Sequence, residues 1–321
     1  MIRGGALLLL ALAAPLAAKD LALSLPIDCT LGDTCFVQQY VDRDASDKHS
    51  DFSCGTLSYD GHKGTDFALP SLAAMSAGVD VLAAASGVVA ATRDDMPDIL
   101  QGAEGAPDID GKECGNGILI KHTGGWETQY CHLKMGSIIV ERGQQVDQGD
   151  MLGEVGLSGQ TQFPHVHLSL RKNGTVIDPY DADDSLTCDG TDRYSLWQND
   201  MPYVGAGVIS LGFSTSVPKY TAIKAGISPP KTLPKNAPAL VLWGYVYGGQ
   251  QGDILELQID GPTGQVIFHQ AQLDKTQSQL FRAAGKRNKA NGWPTGPYQG
   301  TVRIIRDGAE LGRRQIPLVI E

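Results

Sequence analysis

Four of the seven histidines in this 321-residue chain lie in three short segments that could bind a metal ion. The segments are Gly61-His62-Lys-Gly-Thr-Asp66, Tyr130-Cys-His132-Leu133 and Pro164-His165-Val-His167. In a β-strand, residues i and i+2 point to the same face, so His165 and His167 share one side. Two imidazoles and a carboxylate form a three-ligand zinc site, which leaves the fourth tetrahedral position open for water. Each segment alone means little, but together they predict a metal site.

The spacing of His62 and Asp66 fits a turn that leads into a strand. The two residues are four apart, but Gly64 and the β-branched Thr65 disfavour a helix between them. From such a turn both side chains can still converge on one ion. Zinc lowers the pKa of a coordinated water to roughly 7 and polarises a carbonyl, and a nearby histidine can take up the proton or hydrogen-bond the oxyanion. The motifs therefore predict hydrolytic chemistry.

Short alternating segments separated by glycine turns surround these motifs and predict an all-β fold. Strand candidates are Val79–Ala83, Gly87–Thr92, Gly117–His122, Trp126–Leu133 and His165–Arg171. Asn173-Gly174, after the last of these, predicts a hairpin. The segment Asp94–Gly111, rich in Asp, Gly and Pro, is predicted to be an inserted loop and a candidate lid.

A longer series of motifs runs from about Tyr59 to Tyr180. It comprises His62-Lys-Gly-Thr-Asp66-Phe, Val81-Leu-Ala-Ala-Ala-Ser-Gly87-Val-Val, Gly115-Asn-Gly-Ile-Leu-Ile-Lys-His122, Tyr130-Cys-His132-Leu, Val140-Glu-Arg-Gly-Gln-Gln-Val-Asp-Gln-Gly149-Asp-Met-Leu-Gly153, Pro164-His165-Val-His167 and Asp178-Pro179. In this order the motifs resemble the lysostaphin-type zinc metallopeptidases, whose catalytic unit is often called a LytM domain.

The resemblance implies a role for each residue of the histidine motifs. Carried over by position, His62, Asp66 and His167 would bind one zinc ion per chain, and His132 and His165 would be the catalytic pair. The resemblance also implies a LytM-type antiparallel β-sheet domain with a zinc groove over residues 59–200. The implied activity is hydrolysis of peptide bonds, most often in the cross-links or stem peptides of bacterial peptidoglycan.

Composition divides the rest of the chain. Residues 1–18, with a basic start and an apolar run, are typical of a secretory signal peptide, and no later apolar stretch is long enough to span a bilayer. Residues 19–58 bear cysteines and are predicted to be irregular. Prolines in residues 201–238 indicate an extended connection, and residues 239–321 alternate as a small, Ig-like β-sandwich. We expect a periplasmic or secreted protein whose sandwich is a candidate surface for an envelope protein partner.

Six cysteines in an exported chain favour disulfide bonds, although the sequence leaves the connectivity open. Cys29 and Cys35 flank a short turn, and Cys114 and Cys131 lie near the outer ends of two candidate strands, so both are reasonable local pairs. Cys131 stands where lysostaphin-type enzymes commonly have a small residue. Because it adjoins His132 on a strand, it should point away from the metal.

Three alternative functions are nucleic-acid binding, regulation of wall hydrolases without catalysis, and a lipoyl or biotinyl carrier. A net charge of −10 argues against a nucleic-acid partner, since no basic surplus exists to neutralise phosphates. A LytM-type domain can also be a catalytically silent or gated regulator of wall hydrolases, but all five motif positions are filled here.

The sequence departs mildly from the lysostaphin-type pattern at Leu168-Ser169, where many relatives carry an aromatic residue and an acid. The stretch Val140–Gly153 resembles hairpins of lipoyl and biotinyl carriers, yet it lacks the lysine that those carriers need.

Overall fold

The computed structural model describes residues 21–185, 188, 193–289 and 291–321. The predicted signal peptide, residues 1–18, lies outside the described residues. Within them strands dominate, and the helical elements are α1 (Leu72–Ser76), α2 (Tyr220–Ala225) and a 3-10 turn at Thr123–Gly125. The prediction of an all-β fold is confirmed. None of the described helices has the length and apolar character needed to cross a bilayer.

The first ten strands surround the histidine motifs. Their bounds are β1 Phe36–Gln39, β2 Thr65–Ala68, β3 Asp80–Leu82, β4 Gly87–Arg93, β5 Asn116–Lys121, β6 Trp126–Leu133, β7 Gln145–Val146, β8 Met151–Glu154, β9 His165–Lys172 and β10 Thr175–Val176. The main sheet has the order β1-β2-β9-β6-β5-β4-β7 and is antiparallel, while β3 and β8 form a small separate sheet. The predicted Asn173-Gly174 hairpin joins β9 to β10.

The remaining strands form two facing sheets. Their bounds are β11 Gly207–Ser214, β12 Thr232–Leu233, β13 Ala239–Gly249, β14 Ile254–Gly261, β15 Gly264–Gln272, β16 Gln277–Arg287, β17 Gly296–Arg306 and β18 Ala309–Ile320. One sheet has the order β11-β13-β16 and the other β12-β18-β17-β14-β15. Leu242, Leu257, Val302 and Leu318 belong to one buried core, so the two sheets pack as a sandwich.

We call the part of the molecule that contains β1–β10 the first half and the part that contains β11–β18 the second, or C-terminal, half. Strand β13 is buried on both faces and packs against both halves. Leu242 and Val246 enter the sandwich core, whereas Trp243 and Tyr247 belong to the core of the first half. Tyr247 stacks on Phe36 of β1, with ring centroids 4.5 Å apart. Since side chains alternate along a strand, one strand can serve two cores.

Two predicted irregular segments contain strands. Strand β11 lies in the predicted connection, residues 201–238, and pairs with β13, so the sandwich begins before residue 239. The prolines that indicated an extended path begin at Pro218, and the apolar run before them was not recognised. Strand β1 lies in the predicted lead-in, residues 19–58, and pairs with β2. Its four residues are too few to show an alternation.

Three disulfide bonds pair all six cysteines. Cys29–Cys35 and Cys114–Cys131 are the two pairs predicted from the sequence. The third bond, Cys54–Cys188, joins residues 134 positions apart, so sequence proximity gave no signal for it. As predicted, Cys131 is a disulfide partner and not part of the metal centre.

Candidate metal centre and active site

The register between β2 and β9 brings the predicted ligands together. Asp66 lies directly opposite His167 in the antiparallel pair, and His62 lies in the turn before β2. Opposite residues of an antiparallel pair project from the same face, so these side chains meet above the sheet. His62 and Asp66 are buried, and His167 is partly buried.

Three acceptor atoms converge at this point. His62 Nε2 lies 3.2 Å from Asp66 Oδ1 and 3.1 Å from His167 Nδ1, and the His167 Nδ1 to Asp66 Oδ1 distance is 2.7 Å. The three ligand atoms all lie within 4.8 Å of one another, so a single ion could contact all of them.

The second nitrogen of each imidazole donates a hydrogen bond away from this point. His62 Nδ1 donates to the Tyr40 carbonyl at 2.7 Å, and His167 Nε2 donates to Ser169 Oγ at 3.1 Å. The Ser169 hydroxyl donates onward to the Lys63 carbonyl at 2.7 Å, so it must accept from His167. A neutral imidazole has one N–H, so when both rings are neutral their inward nitrogens present lone pairs. Lone pairs so close to a carboxylate repel unless a cation lies between them, so the residues fit a zinc ion.

The electrostatics of the three side chains also favour a positive charge among them. Burial raises the pKa of Asp66, but His62 and His165 lower it more, and the net pKa lies well below the usual range. Burial lowers the pKa of His62, yet the Asp66 carboxylate outweighs it and the net shift is upward. Burial lowers the pKa of His167, and this effect outweighs the opposing influence of the adjacent Asp66 carboxylate. Asp66 is thus an ionised carboxylate held against imidazole nitrogens.

The predicted catalytic histidines lie beside this centre. His132 is close to the end of β6 and His165 begins β9, with ring centroids 4.6 Å apart. His132 Nδ1 donates to the Ser158 carbonyl at 2.8 Å, and His165 Nδ1 donates to the Phe163 carbonyl at 2.9 Å. Each ring therefore keeps its lone pair on Nε2, and His165 Nε2 is 3.5 Å from Asp66 Oδ1.

Both of these histidines are neutral at pH 7. Burial, followed by the neighbouring His165 and His167, lowers the pKa of His132 well below its ordinary value. Burial likewise lowers the pKa of His165. His132 also has a φ of 66°, a left-handed backbone conformation that is costly for a residue other than glycine and is often found at functional sites. Neutral imidazoles can take up a proton at Nε2.

Two supporting residues were not assigned a role from the sequence. A Cβ on Gly64 would lie 2.5 Å from His167 Nε2 and 2.6 Å from the Leu168 carbonyl oxygen, so glycine permits the turn to approach β9. Ser169 follows His167 by two residues and lies on the same strand face, a spacing that could have identified it. Its hydroxyl provides the acceptor for His167.

The other histidines lie outside the centre. His122 bonds to the Ser86 carbonyl and to Thr128 Oγ1, both at 2.8 Å, so both of its ring nitrogens are bonded within the surrounding turn and strands. His49 and His269 are exposed.

A cavity of about 550 Å³ opens beside Asp66, His132 and His165. Part of its lining comes from the first half of the chain, namely Gln39, Tyr59, Gln101 and Gln160–Phe163. The rest comes from the second half, namely Tyr220, Lys224 and Gln277–Gln279. We call this cavity the cleft, and its lining shows that both halves of the molecule contribute to it.

The predicted lid, Asp94–Gly111, is irregular and is anchored at its start. The Asp94 carboxylate accepts from the backbone N–H of Gly136 at 2.7 Å, and the Asp98 carboxylate accepts from that of Leu157 at 2.6 Å. Only Gln101 of this loop is among the residues that line the cleft.

Comparison with known proteins places the histidine motifs in a family. Residues 60–179 match the model of peptidase family M23. We call this matched segment the M23 domain. The M23 domain contains all five of the residues in question, and the match confirms the resemblance to the lysostaphin-type enzymes.

The M23 domain is also similar to parts of longer curated proteins. The peptidoglycan DD-endopeptidase ShyA of Vibrio cholerae is 31% identical over 121 residues, which are 38% of this chain and 23% of ShyA. The cell division protein DipM of Caulobacter vibrioides is 45% identical over 64 residues, 20% of this chain and 10% of DipM. The solved catalytic domain of the prophage-encoded M23 protein EnpA from Enterococcus faecalis aligns at 23% identity and a TM-score of 0.32, covering 47% of this chain and 92% of that one. The matched segments thus span less than a quarter of the two curated relatives.

Proposed function

We propose that this chain is an exported zinc metalloendopeptidase that hydrolyses peptide bonds in the cross-links or stem peptides of peptidoglycan, in the periplasm or outside the cell. The observation that carries the proposal is the pair of inward lone pairs beside an ionised carboxylate, next to two neutral imidazoles in an open cleft. Membership of residues 60–179 in family M23 supports peptidase chemistry. The name of the relative ShyA supports peptidoglycan as the substrate.

In the proposed site, His62 Nε2, Asp66 Oδ1 and His167 Nδ1 hold the ion. A bound zinc ion supplies Lewis-acid chemistry, because it lowers the pKa of a coordinated water and polarises the peptide carbonyl. Tyr40 and Ser169 keep the two ligand imidazoles in the tautomers that binding requires.

His132 and His165 perform the proton transfers in the proposed reaction. Both are neutral and have a free lone pair at Nε2, so one can accept the proton of the attacking water. The imidazolium that results can hydrogen-bond the oxyanion that develops on the substrate carbonyl and then give its proton to the leaving amine nitrogen. The Asp66 carboxylate, 3.5 Å from His165 Nε2, stabilises the imidazolium that forms there.

Digestion of purified peptidoglycan tests this function. We expect the zinc-loaded full chain to release fragments cut at a peptide bond, as identified by mass spectrometry, and a chelator to abolish their release. A His165→Ala variant serves as the control that retains zinc. Absence of fragments from the metal-loaded protein would contradict the proposal and favour a silent or gated regulator of wall hydrolases.

A further inference from the structure

Residues of the C-terminal half reach the cleft through two elements. Helix α2 contributes Tyr220 and Lys224, and the start of β16 contributes Gln277–Gln279. Neither element lies in the M23 domain, which ends at residue 179. This part of the cleft, which we call the C-terminal wall, is therefore additional to the peptidase domain.

Side-chain amides fix the C-terminal wall to the first half. Gln38 of β1 is fully buried, donates from Nε2 to the Ser278 carbonyl at 3.0 Å and accepts from Gln279 Nε2 at 2.8 Å. The Tyr245 hydroxyl donates to Gln279 Oε1, which completes the hydrogen bonds of that amide. Because Gln38 is buried and bonds to the start of β16 through both its amide nitrogen and its amide oxygen, it holds this part of the wall against β1.

Helix α2 is held just as closely. Its C-cap, Gly226, has a φ of 92°, and a Cβ there would lie 2.7 Å from both Ser71 Oγ and Ala73 Cβ. The glycine thus permits the end of α2 to contact the region of α1. Tyr220, at the start of α2, stacks on Phe281 with centroids 5.3 Å apart. Lys224 is therefore presented from a helix that is packed at both ends.

The lining of the cleft is rich in neutral amides and poor in charge. Six glutamines line it: Gln39, Gln101, Gln160, Gln162, Gln277 and Gln279. Amide side chains both donate and accept hydrogen bonds, which suits a peptide main chain. Apart from the two imidazoles, the lining residues with ionisable acidic or basic side chains are Asp66 and Lys224, and Asp66 lies against His62 and His167 in the proposed metal centre.

Lys224 has no acidic partner among the described residues. Its Nζ lies 3.4 Å from the Gln162 carbonyl oxygen and 5.8 Å from the Tyr220 ring centroid, and no carboxylate lies within 4.0 Å. The side chain is half-buried in a protein with 36 acidic and 26 basic residues. An ammonium has three donors, so at least two remain for a ligand. A cation with no acidic partner, held beside an amide-lined cleft, is suited to bind an anion.

We propose that Lys224 binds a carboxylate of the peptide substrate, and that the C-terminal wall selects acidic peptides for the peptidase site. This inference rests on the proposed function and specifies its substrate class. A smaller cavity of about 140 Å³ adjoins the cleft at Lys224 and is lined by apolar residues including Leu69, Leu72 and Leu100. A substrate residue can place its carboxylate against Lys224 and a small apolar side chain in this smaller cavity.

Binding of defined fragments tests the assignment without relying on turnover. The ligands are cross-linked muropeptide dimers released by a muramidase, and the same dimers after their carboxylates are amidated. In a full-length His165→Ala background, calorimetry should show about tenfold tighter binding of the acidic dimers than of the amidated ones. Lys224→Met should abolish this preference, and Lys224→Arg should retain it. Lys219→Met, an exposed lysine at the start of α2 outside the cleft, is the matched control and should behave as the parent.

Turnover by protein that retains His165 distinguishes a failure of the Lys224 assignment from a failure of the proposed peptidase function. Lys224→Met should raise KM for acidic dimers about tenfold and leave kcat unchanged, as expected when uniform binding is lost. Acidic preference that survives in Lys224→Met would overturn the Lys224 assignment, even if cleavage is normal. A preference that follows Lys224 in binding, without cleavage by the parent protein, would support the carboxylate site and refute the peptidase.

Discussion

At the scale of single residues, the proposed metal centre depends on which nitrogen of each imidazole carries hydrogen. Tyr40 accepts from His62 Nδ1 and Ser169 accepts from His167 Nε2, and these bonds direct the lone pairs inward. Without the two acceptors, either ring could rotate or change tautomer, and a donor would then face Asp66. The residues that orient the ligands should therefore contribute to zinc affinity together with the ligands.

Alanine substitutions should divide the five site residues into two groups. His62→Ala, Asp66→Ala and His167→Ala should lose zinc, because each removes one of three ligands. His132→Ala and His165→Ala should retain zinc but lose about 10²- to 10⁴-fold in turnover, the usual contribution of a general acid or base. Zinc is measured per chain by mass spectrometry of the element. Full zinc content after loss of any ligand would contradict the ligand assignment.

Ser169→Ala should weaken zinc binding about 10- to 100-fold, because His167 loses the acceptor that orients it. Competition with a chromogenic chelator measures the affinity. Ser86→Ala is the matched control, since that hydroxyl accepts from the Gln148 N–H and not from a ligand. Equal zinc affinity of the two variants would show that Ser169 does not orient His167.

At the scale of elements, the centre is built by the pairing of two strands. β2 is only four residues long, yet its register with β9 sets Asp66 opposite His167. A shift by one residue would turn Asp66 to the other face of the sheet, because side chains alternate. The turn before β2 must approach β9 closely enough for His62 to join them, and Gly64 permits this.

Gly64→Ala should therefore harm both stability and metal binding. The added Cβ would lie 2.6 Å from the Leu168 carbonyl oxygen, a backbone atom that cannot move aside alone. We expect a loss of about 1–3 kcal/mol in the free energy of unfolding, as for other overpacked sites, together with reduced zinc content. Denaturant unfolding measures the first effect and metal analysis the second. Gly205→Ala, whose nearest neighbour would be a side-chain atom at 3.2 Å, should have a smaller effect and no loss of zinc.

At the scale of the whole molecule, the two halves are packed against each other through shared strands and are not merely joined by a linker. β13 contributes to both cores, and the sheet β11-β13-β16 covers the first half while its other face closes the sandwich. The envelope partner and the Ig-like character predicted for residues 239–321 stay predictions. What the structure adds is a direct role for this half in forming the cleft.

Trp243→Ala should destabilise the entire chain in one step. Trp243 is 2% exposed and lies in the core of the first half although it belongs to the sandwich. Truncation of a buried Trp costs about 3–5 kcal/mol, and calorimetry should show one unfolding transition at a lower Tm. Phe268→Ala, which removes a ring that is 49% exposed, is the control and should change Tm little. Two transitions, with only one shifted, would show that the halves unfold independently.

The sequence alone was sufficient for features that are local or periodic. His165-Val-His167 predicted two imidazoles on one face and Asn173-Gly174 predicted a hairpin, because each depends on spacing along one or two strands. Cys114–Cys131 was a reasonable local pair among several possible connectivities, and the structure contains this bond. The five site residues came from motif order, and the structure brings all five together.

Tertiary structure decided what depends on contacts between distant segments. Strand β1 was missed because its four residues gain their conformation from pairing with β2. Cys54 pairs with Cys188 across 134 residues, and Gln38 holds the wall that presents Lys224, with no trace of either contact in local composition. Hydrogen bonding and packing between remote segments have no fixed sequence period, so only the folded chain shows which side chains meet.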